Sequence, residues 1–346
     1  MDFLNKAKNS PVFIIAELSA NHNGSLKIAK KTIKAAKKAG ANAIKLQTYT
    51  AETITIDSQK KDFIINSNSI WDGKNFYDLY KSAYTPWEWH EELFDLAKKE
   101  GLICFSSPFD KSAVDFLEEL GNPIYKIASF EITDIPLIDY IASKDKPIIL
   151  STGIAEKSDI ELALKTIRNR NSNQIVLLKC TSSYPAPLEE ANLLTLTDYT
   201  KSFGVIPGIS DHTLGITAPV VATALGAKVI EKHFILDKSI GGPDSSFSLD
   251  QNDFSQMVKN VRDAEKSLGK IDYNLTEKQK KGKDFSRSLY IVEDVKKGEK
   301  ITKDNIRSIR PGFGMHPKYF KDILGKRFIN NFSKGTRLSF EKIEEK

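Results

Sequence analysis

Eight short runs of apolar and β-branched residues, each closing on polar side chains, constrain what this 346-residue chain can fold into. They start at Phe13 (FIIAE), Ala43 (AIKLQ), Ile103 (ICFSS), Ile124 (IYKIAS), Ile148 (IILST), Val176 (VLLKCTSSY), Val205 (VIPGIS) and Val229 (VIEKHF), mostly 21–30 residues apart. Continuous apolar strands are buried on both faces, which points to a parallel sheet covered by helices. The intervening segments carry helix punctuation. Thr85-Pro86-Trp87-Glu88 and Ser158-Asp159-Ile160-Glu161 read as capping boxes, and Asp110 as an N-cap. Gly40, Gly101 and Gly121 suit left-handed helix ends. Eight strand–helix units in about 250 residues predict an α/β fold of the (β/α)8 TIM-barrel type. No G-x-G-x-x-G follows the first run, which argues against a dinucleotide fold.

The second and third runs start 60 residues apart, at Ala43 and Ile103. The insertion, roughly Thr48 to Tyr84, leaves the C-terminal end of a strand and is expected over the barrel mouth. It holds Trp71, Asp72, Asn75 and Tyr77, and reads equally as a substrate lid or as a surface excursion.

The expected organisation is a barrel over residues 1–270, a polar, lysine-rich linker over 271–285, and a small β-rich domain over 286–346. That tail has expected strands in SLYIVED and RFINN, with turns at Lys297-Gly298, Pro311-Gly312, Gly314 and Lys334-Gly335. Its low apolar content suggests a domain that leans on something larger. It also holds 15 basic residues against 8 acidic ones, while the chain as a whole carries a net +6, so the basic excess lies in the tail. Such a surface suits a polyanion or a cover over an anionic site.

Hydrophobic residues at 40% and charged residues at 28% exclude wholesale disorder. No apolar run approaches the ~20 residues of a membrane helix. The opening MDFLNKAKNSPVF lacks a signal-peptide pattern, so the expected location is the cytoplasm and no membrane partner is expected. Cys104 and Cys180 lie in apolar runs and read as small buried hydrophobes.

In barrels of this type the active site forms at the C-terminal ends of the strands. Here those ends bear Glu17, Lys45, Gln47, Ser106, Ser107, Lys126, Ser129, Glu131, Ser151, Thr181, Ser182, Tyr184, Ser210, His212, Glu231 and His233. Side chains two apart share a strand face, so Lys45 with Gln47, Ser210 with His212, and Glu231 with His233 can point inward together. A lysine in an apolar strand needs an anion. Lys45 and Lys126, with hydroxyls nearby, suit a phosphate or carboxylate; outward lysines that snorkel are the alternative. His212 and His233 end neighbouring strands and fit a divalent Lewis-acid site with open positions, or a metal-free hydrogen-bonded pair. Glu17, Glu131 and Glu231 are candidate acids or bases, sugar anchors or lysine partners. Asp244 follows a Gly-Gly-Pro turn beside His233. His22 reads as a loop brace, and His90 and His316 as surface residues.

The ordered segments Ala16-Glu17-x-x-x-Asn21-His22-Asn23-Gly24, Lys45-Leu46-Gln47, Ser107-Pro108-Phe109, Tyr125-Lys126-Ile127-Ala128-Ser129 and Ser151-Thr152-Gly153 continue with Ser210-Asp211-His212-Thr213, Glu231-Lys232-His233-Phe234 and Gly242-Pro243-Asp244. This set resembles the sialic acid synthase family, the phosphoenolpyruvate-dependent nonulosonic acid synthases. The tail, with Arg310-Pro311-Gly312, resembles that family's antifreeze-like (SAF, β-clip) domain. Within the family, Ser19-Ala20 and Asp244-Ser245-Ser246-Phe247-Ser248 are most similar to the pseudaminic branch.

The resemblance implies a transferase that condenses phosphoenolpyruvate with an N-acetylated amino sugar and releases phosphate by C–O cleavage. For the pseudaminic branch the sugar is 2,4-diacetamido-2,4,6-trideoxy-β-L-altropyranose; N-acetylneuraminate or legionaminate synthesis differs in the sugar. It implies phosphoenolpyruvate contacts from Lys45, Ser107, Lys126, Ser129, Ser151, Ser182 and Ser210, with serine at 182 where members often carry asparagine. It implies sugar contacts from Gln47, Glu131, Tyr184, Asp244 and Arg310, and a divalent ion (Mn2+, with Mg2+ or Co2+ as substitutes) on His212 and His233. It also implies a domain-swapped homodimer in which the tail caps the partner's barrel. A polyanion-binding protein is the remote alternative, but the tail lacks interleaved aromatics and no nucleic-acid partner is expected.

Overall fold

The structure is a computed structural model that describes residues 11–67, 70–170 and 174–345; the opening segment, residues 1–10, lies outside them. Two compact units divide the chain, Met1–Gly269 and Lys270–Lys346.

The first unit is a closed barrel of eight parallel strands in sequence order. They are β1 (Phe13–Glu17), β2 (Ala43–Thr48), β3 (Ile103–Pro108), β4 (Tyr125–Ile127), β5 (Ile148–Ser151), β6 (Ile175–Cys180), β7 (Ile206–Asp211) and β8 (Val229–His233). The expected (β/α)8 barrel is therefore the observed one. Alternation along the strands builds two cores. Inward-facing Ile15, Ala43, Phe105, Ile149, Val176, Leu178 and Val229 fill the barrel. Their neighbours Ile14, Ile44, Tyr125, Leu150, Leu177 and Ile230 face out against the helices. Gly208 on β7 faces the filled interior. A Cβ there would stand 2.5 Å from Leu178 Cδ2 and 2.6 Å from the Val229 carbonyl, so only glycine fits.

The helices between strands follow the punctuation, with shifts. Asp110 caps Lys111–Glu119 by accepting from the Ala113 and Ser112 amides. The helix expected at Ser158 runs Lys157–Asn169, and its capping box is Glu156 with Asp159. Thr85 caps nothing: its hydroxyl meets His22 Nε2 at 3.2 Å, and the helix starts later, at His90–Lys99. The β6–β7 crossover is reduced to short helical turns over Leu188–Phe203.

Among the described residues, the insertion after β2 includes the short helices Ala51–Ile54 and Phe76–Ala83. Asn75 is the N-cap of the second, accepting from the Tyr77 amide at 2.8 Å and donating to the Ser58 carbonyl at 2.7 Å.

In the second unit, β9 (Ser288–Ile291) pairs antiparallel with β10 (Ile306–Ile309). SLYIVED supplies the first of these. RFINN forms isolated bridges in place of a strand, Lys300 with Arg327 and Phe328 with Ile343. The unit has its own core of Leu289, Ile291, Val295, Ile301, Ile306, Phe328, Leu338 and Ile343, spaced too irregularly along the chain to read as a strand pattern. Within the stretch read as a linker, Glu277–Gly282 is helical. Among the described residues, no helix is long and apolar enough to cross a membrane.

Candidate active site

Strand register brings the polar ends together. Glu17 lies beside both Lys45 and His233, Gln47 beside Ser107, and Ser210 beside both Cys180 and Glu231. Because inward positions are two apart, the layer above the apolar barrel filling consists of these side chains. Glu17, Lys45, Ser107, Lys126, Ser129, Ser151, Ser210, His212, Glu231, His233 and Asp244 are all buried.

Lys45 is the hub. Its Nζ lies 2.7 Å from Glu17 Oε2 and 3.6 Å from Glu231 Oε1, and donates to Ser107 Oγ at 3.3 Å. Lys126 Nζ is 3.8 Å from Glu231 Oε1 and donates to the Ile127 carbonyl at 3.1 Å. Ser210 donates to Glu231 Oε1 at 3.2 Å. Gln47 donates to Glu17 Oε1 at 3.0 Å and to Ser19 Oγ at 2.9 Å. Both lysines are therefore inward, and neither snorkels.

The charges are unevenly matched. Burial pushes the Glu17 carboxyl up to about 7 against the pull of Lys45. Burial pushes Glu131 up to about 7 as well, against Lys126. Burial works against ionised Glu231 too, but Lys126 and Lys45 together hold that carboxyl below the usual range. Burial outweighs the attraction of Glu231 at Lys126 and lowers its pKa, whereas at Lys45 the neighbouring Glu17 and Glu231 outweigh burial and raise it. Ser151 Oγ, Glu131 Oε2 and Glu231 Oε2 are buried without a hydrogen-bond partner, so the layer has polar valence to offer a ligand.

A second cluster stands beside this one. The His212 and His233 rings lie 5.3 Å apart. His212 Nδ1 bonds the Thr181 carbonyl at 3.0 Å, which leaves Nε2 for other work. His233 Nδ1 is buried without a hydrogen-bond partner, 3.7 Å from Asp244 Oδ2. Asp244 accepts from the Ala20 amide at 3.4 Å. Tyr184 packs on His212 at 4.4 Å and Phe247 on His233 at 4.9 Å. Among the described residues, no group of three or more His, Cys, Asp or Glu could hold a metal ion. Two imidazoles, one with an unpartnered buried nitrogen, still fit an open ion site completed by water or substrate, and do not fit a closed structural one.

The remaining expected residues fall as follows. Ser129 accepts from the Gly153 amide at 3.0 Å, and Ser182 lies 4.0 Å from Cys180 Sγ. Arg310 is exposed and belongs to the second unit. His22 is buried, with the Gly24 amide on Nδ1 and Thr85 on Nε2, which is the loop-bracing arrangement. His316 is exposed and caps the turn Pro317–Tyr319. His90 is a correction: it is fully buried, bonded to Thr48 at 2.9 Å, and burial lowers it to about 4. Its helix turns this face inward onto the outward Thr48–Ser106 pair.

Cys180 is buried, as expected, but it also meets the site. It shares the inward face of β6 with Val176 and Leu178, and its sulfur is 3.7 Å from His212 Nδ1. Burial alone would raise the thiol, but His212 outweighs it and the thiol falls to about 7. Strand parity was the signal that could have found it. Lys232 was also missed. It faces outward and is fully buried against Asp211 Oδ2 at 2.6 Å, behind the two histidines.

A closed parallel barrel with a lysine–glutamate–hydroxyl layer and a histidine pair at its mouth, followed by a separate small β unit, defines a family. The NeuB family profile matches residues 32–273 and the SAF domain profile residues 286–344, and this chain belongs to the NeuB family. The chain is 50% identical over 327 residues to the pseudaminic acid synthase of Campylobacter jejuni subsp. jejuni, covering 94% of this chain and 95% of that protein. It is 47% identical to the Helicobacter pylori pseudaminic acid synthase, covering 96% and 98%. Among solved structures it resembles the N-acetylneuraminic acid synthetase of Leptospira borgpetersenii, with a TM-score of 0.71, 32% identity, and coverage of 79% and 90%.

Proposed function

We propose that this chain is a pseudaminic acid synthase. It condenses phosphoenolpyruvate and water with 2,4-diacetamido-2,4,6-trideoxy-β-L-altropyranose to give pseudaminic acid and phosphate. The observation that carries the reading is the buried layer in which Lys45 and Lys126 converge with Ser107, Ser210 and Glu231 beside the histidine pair. Two buried ammonium groups ringed by hydroxyls match a compact trianion.

In this reading Lys45, Lys126, Ser107, Ser129, Ser151, Ser182 and Ser210 bind the phosphate and carboxylate of phosphoenolpyruvate. Gln47, Glu131, Tyr184 and Asp244 hold the open-chain sugar with its aldehyde toward His212 and His233. The enol carbon attacks the aldehyde carbon. Water adds to the resulting cationic centre, and the C–O bond to phosphate then breaks to leave a ketone. Glu17 and Glu131, both pushed up to about 7, are matched to carry or release a proton near neutrality, one toward the new alkoxide and the other from the attacking water. His212 and His233 would hold a divalent ion (Mn2+, Mg2+ or Co2+), which when bound supplies Lewis acidity at the aldehyde oxygen.

Work in the cytoplasm as a homodimer is part of the proposal, with the basic tail of each chain and its Arg310 serving the partner's sugar site. The runner-up, N-acetylneuraminate or legionaminate synthesis, uses the same machinery on another sugar. The test is phosphate release from phosphoenolpyruvate with Mn2+, run in parallel on the diacetamido-trideoxy-altrose and N-acetylmannosamine. Release with the first sugar alone is expected; release with N-acetylmannosamine alone moves the chain to another branch, no release with either calls for a legionaminate-type sugar as the next arm, and silence there too sinks the condensation reading.

A further inference from the structure

Beside the polar layer and the histidines stands a group of rings. Trp71 of the insertion lies 5.3 Å from Tyr184, and Tyr184 lies 5.3 Å from Phe247 and 4.4 Å from His212. Phe247 is 1% exposed, while Tyr184 and Trp71 are half-buried and keep open surface. The order outward from the histidines is therefore Tyr184, then Trp71. With the sugar aldehyde at the histidines, Trp71 lies toward the opposite end of the sugar, away from the reacting carbon.

We infer that Trp71, Tyr184 and Phe247 form an apolar wall that selects the sugar by the methyl groups at its far end, with Trp71 the specificity-determining residue. This deepens the condensation reading and rests on it. The trideoxy sugar carries two methyls there, one at C6 and one on the 4-acetamido group. A methyl against a ring is removed from water to advantage. A hydroxyl in the same place loses its water and gains no partner from a carbon wall. Tyr184 and Phe247 also pack on the histidines, while Trp71 joins the wall through Tyr184, so sugar choice is read most directly at Trp71.

The test is kcat/KM for phosphate release on three sugars: the diacetamido-trideoxy-altrose, its 6-hydroxy counterpart, and its counterpart with hydroxyl in place of the 4-acetamido group. Trp71→Ala is expected to lose about ten-fold on the first sugar, the scale of a lost apolar contact. The loss on at least one hydroxylated counterpart should be smaller and the KM for phosphoenolpyruvate unchanged, with Trp71→Phe retaining most of the preference. Phe247→Leu is the second probe and should narrow the preference in the same direction. An equal loss on all three sugars, or a preference untouched in both Trp71→Ala and Phe247→Leu, overturns the wall and leaves the condensation standing. A wild-type enzyme that prefers a hydroxylated counterpart overturns the wall too, while one that releases no phosphate with any of the sugars overturns the wall and the condensation together.

Discussion

Lys45 and Lys126 look equivalent in the sequence, each a lysine inside an apolar strand, yet the structure gives them different work. Lys45 holds two carboxylates, the nearer at 2.7 Å, whereas the nearest carboxylate to Lys126 is 3.8 Å away. Removing one partner of a buried pair costs about 3–5 kcal/mol. Lys45→Met is accordingly expected to destabilise the substrate-free protein by an amount of that order, and Lys126→Met by much less. Ligand that binds only the folded state raises its stability, so phosphoenolpyruvate should raise the melting temperature of the wild type. Lys126→Met should abolish that rise, and thermal melts with and without phosphoenolpyruvate would decide; an undiminished rise in the variant would remove Lys126 from the cradle. Glu131 gives a pH prediction. Its carboxyl is pushed from 4.5 to about 7, so between those values the unfolded chain ionises it and the folded chain does not. The folded state binds the extra proton, and stability from this group falls as pH rises through that window and is flat above it. Glu131→Gln removes the effect, so the variant should gain on wild type from pH 4.5 to 7, by at most about 3 kcal/mol. Urea unfolding at several pH values would show it, and a pH-independent difference would refute it.

At the scale of elements, strand parity does most of the organising. The eight apolar runs and their polar ends were legible because a barrel strand buried on both faces leaves a continuous signature. Parity also sorts what the runs mixed: Ser107 turns inward while Ser106 turns out to bond Thr48 at 2.7 Å. Loops are where the reading slipped, since Thr85 found His22 across the fold in place of its own helix. Two glycines separate fold from site. A Cβ on Gly153 would stand 2.0 Å from Ser182 Oγ and 2.7 Å from Ser129 Oγ, both movable side-chain ends. Gly153→Ala should therefore fold but displace two hydroxyls of the proposed cradle, costing on the order of 10–100-fold in kcat/KM. A Cβ on Gly208 would meet a backbone carbonyl, so Gly208→Ala should destabilise the barrel itself. Kinetics and melting of the two variants side by side would test this; a fully active Gly153→Ala protein would remove Ser129 and Ser182 from the cradle.

For the whole molecule, the two units each own a core, and the second owes nothing to low apolar content once ten scattered side chains meet. The NeuB family match lies in the first, residues 32–273, and the SAF domain match in the second, residues 286–344. The proposed dimer predicts sedimentation at twice the chain mass. Arg310→Ala should raise the KM for the sugar roughly 10–100-fold while leaving that for phosphoenolpyruvate unchanged, on the scale of one charge-assisted hydrogen bond. An Arg310→Ala enzyme with an unaltered sugar response would make the tail structural only.

The sequence by itself determined the eight strands, the barrel, the inward polar layer and the separate tail, because periodic burial and strand-end polarity are local properties of a chain. Only the tertiary structure decided which lysine takes which glutamate, that Cys180 stands against His212, that His90 is buried, and that the insertion returns Trp71 to Tyr184. Those pairings join residues far apart in the chain, and they depend on barrel closure and side-chain direction, which no local pattern encodes.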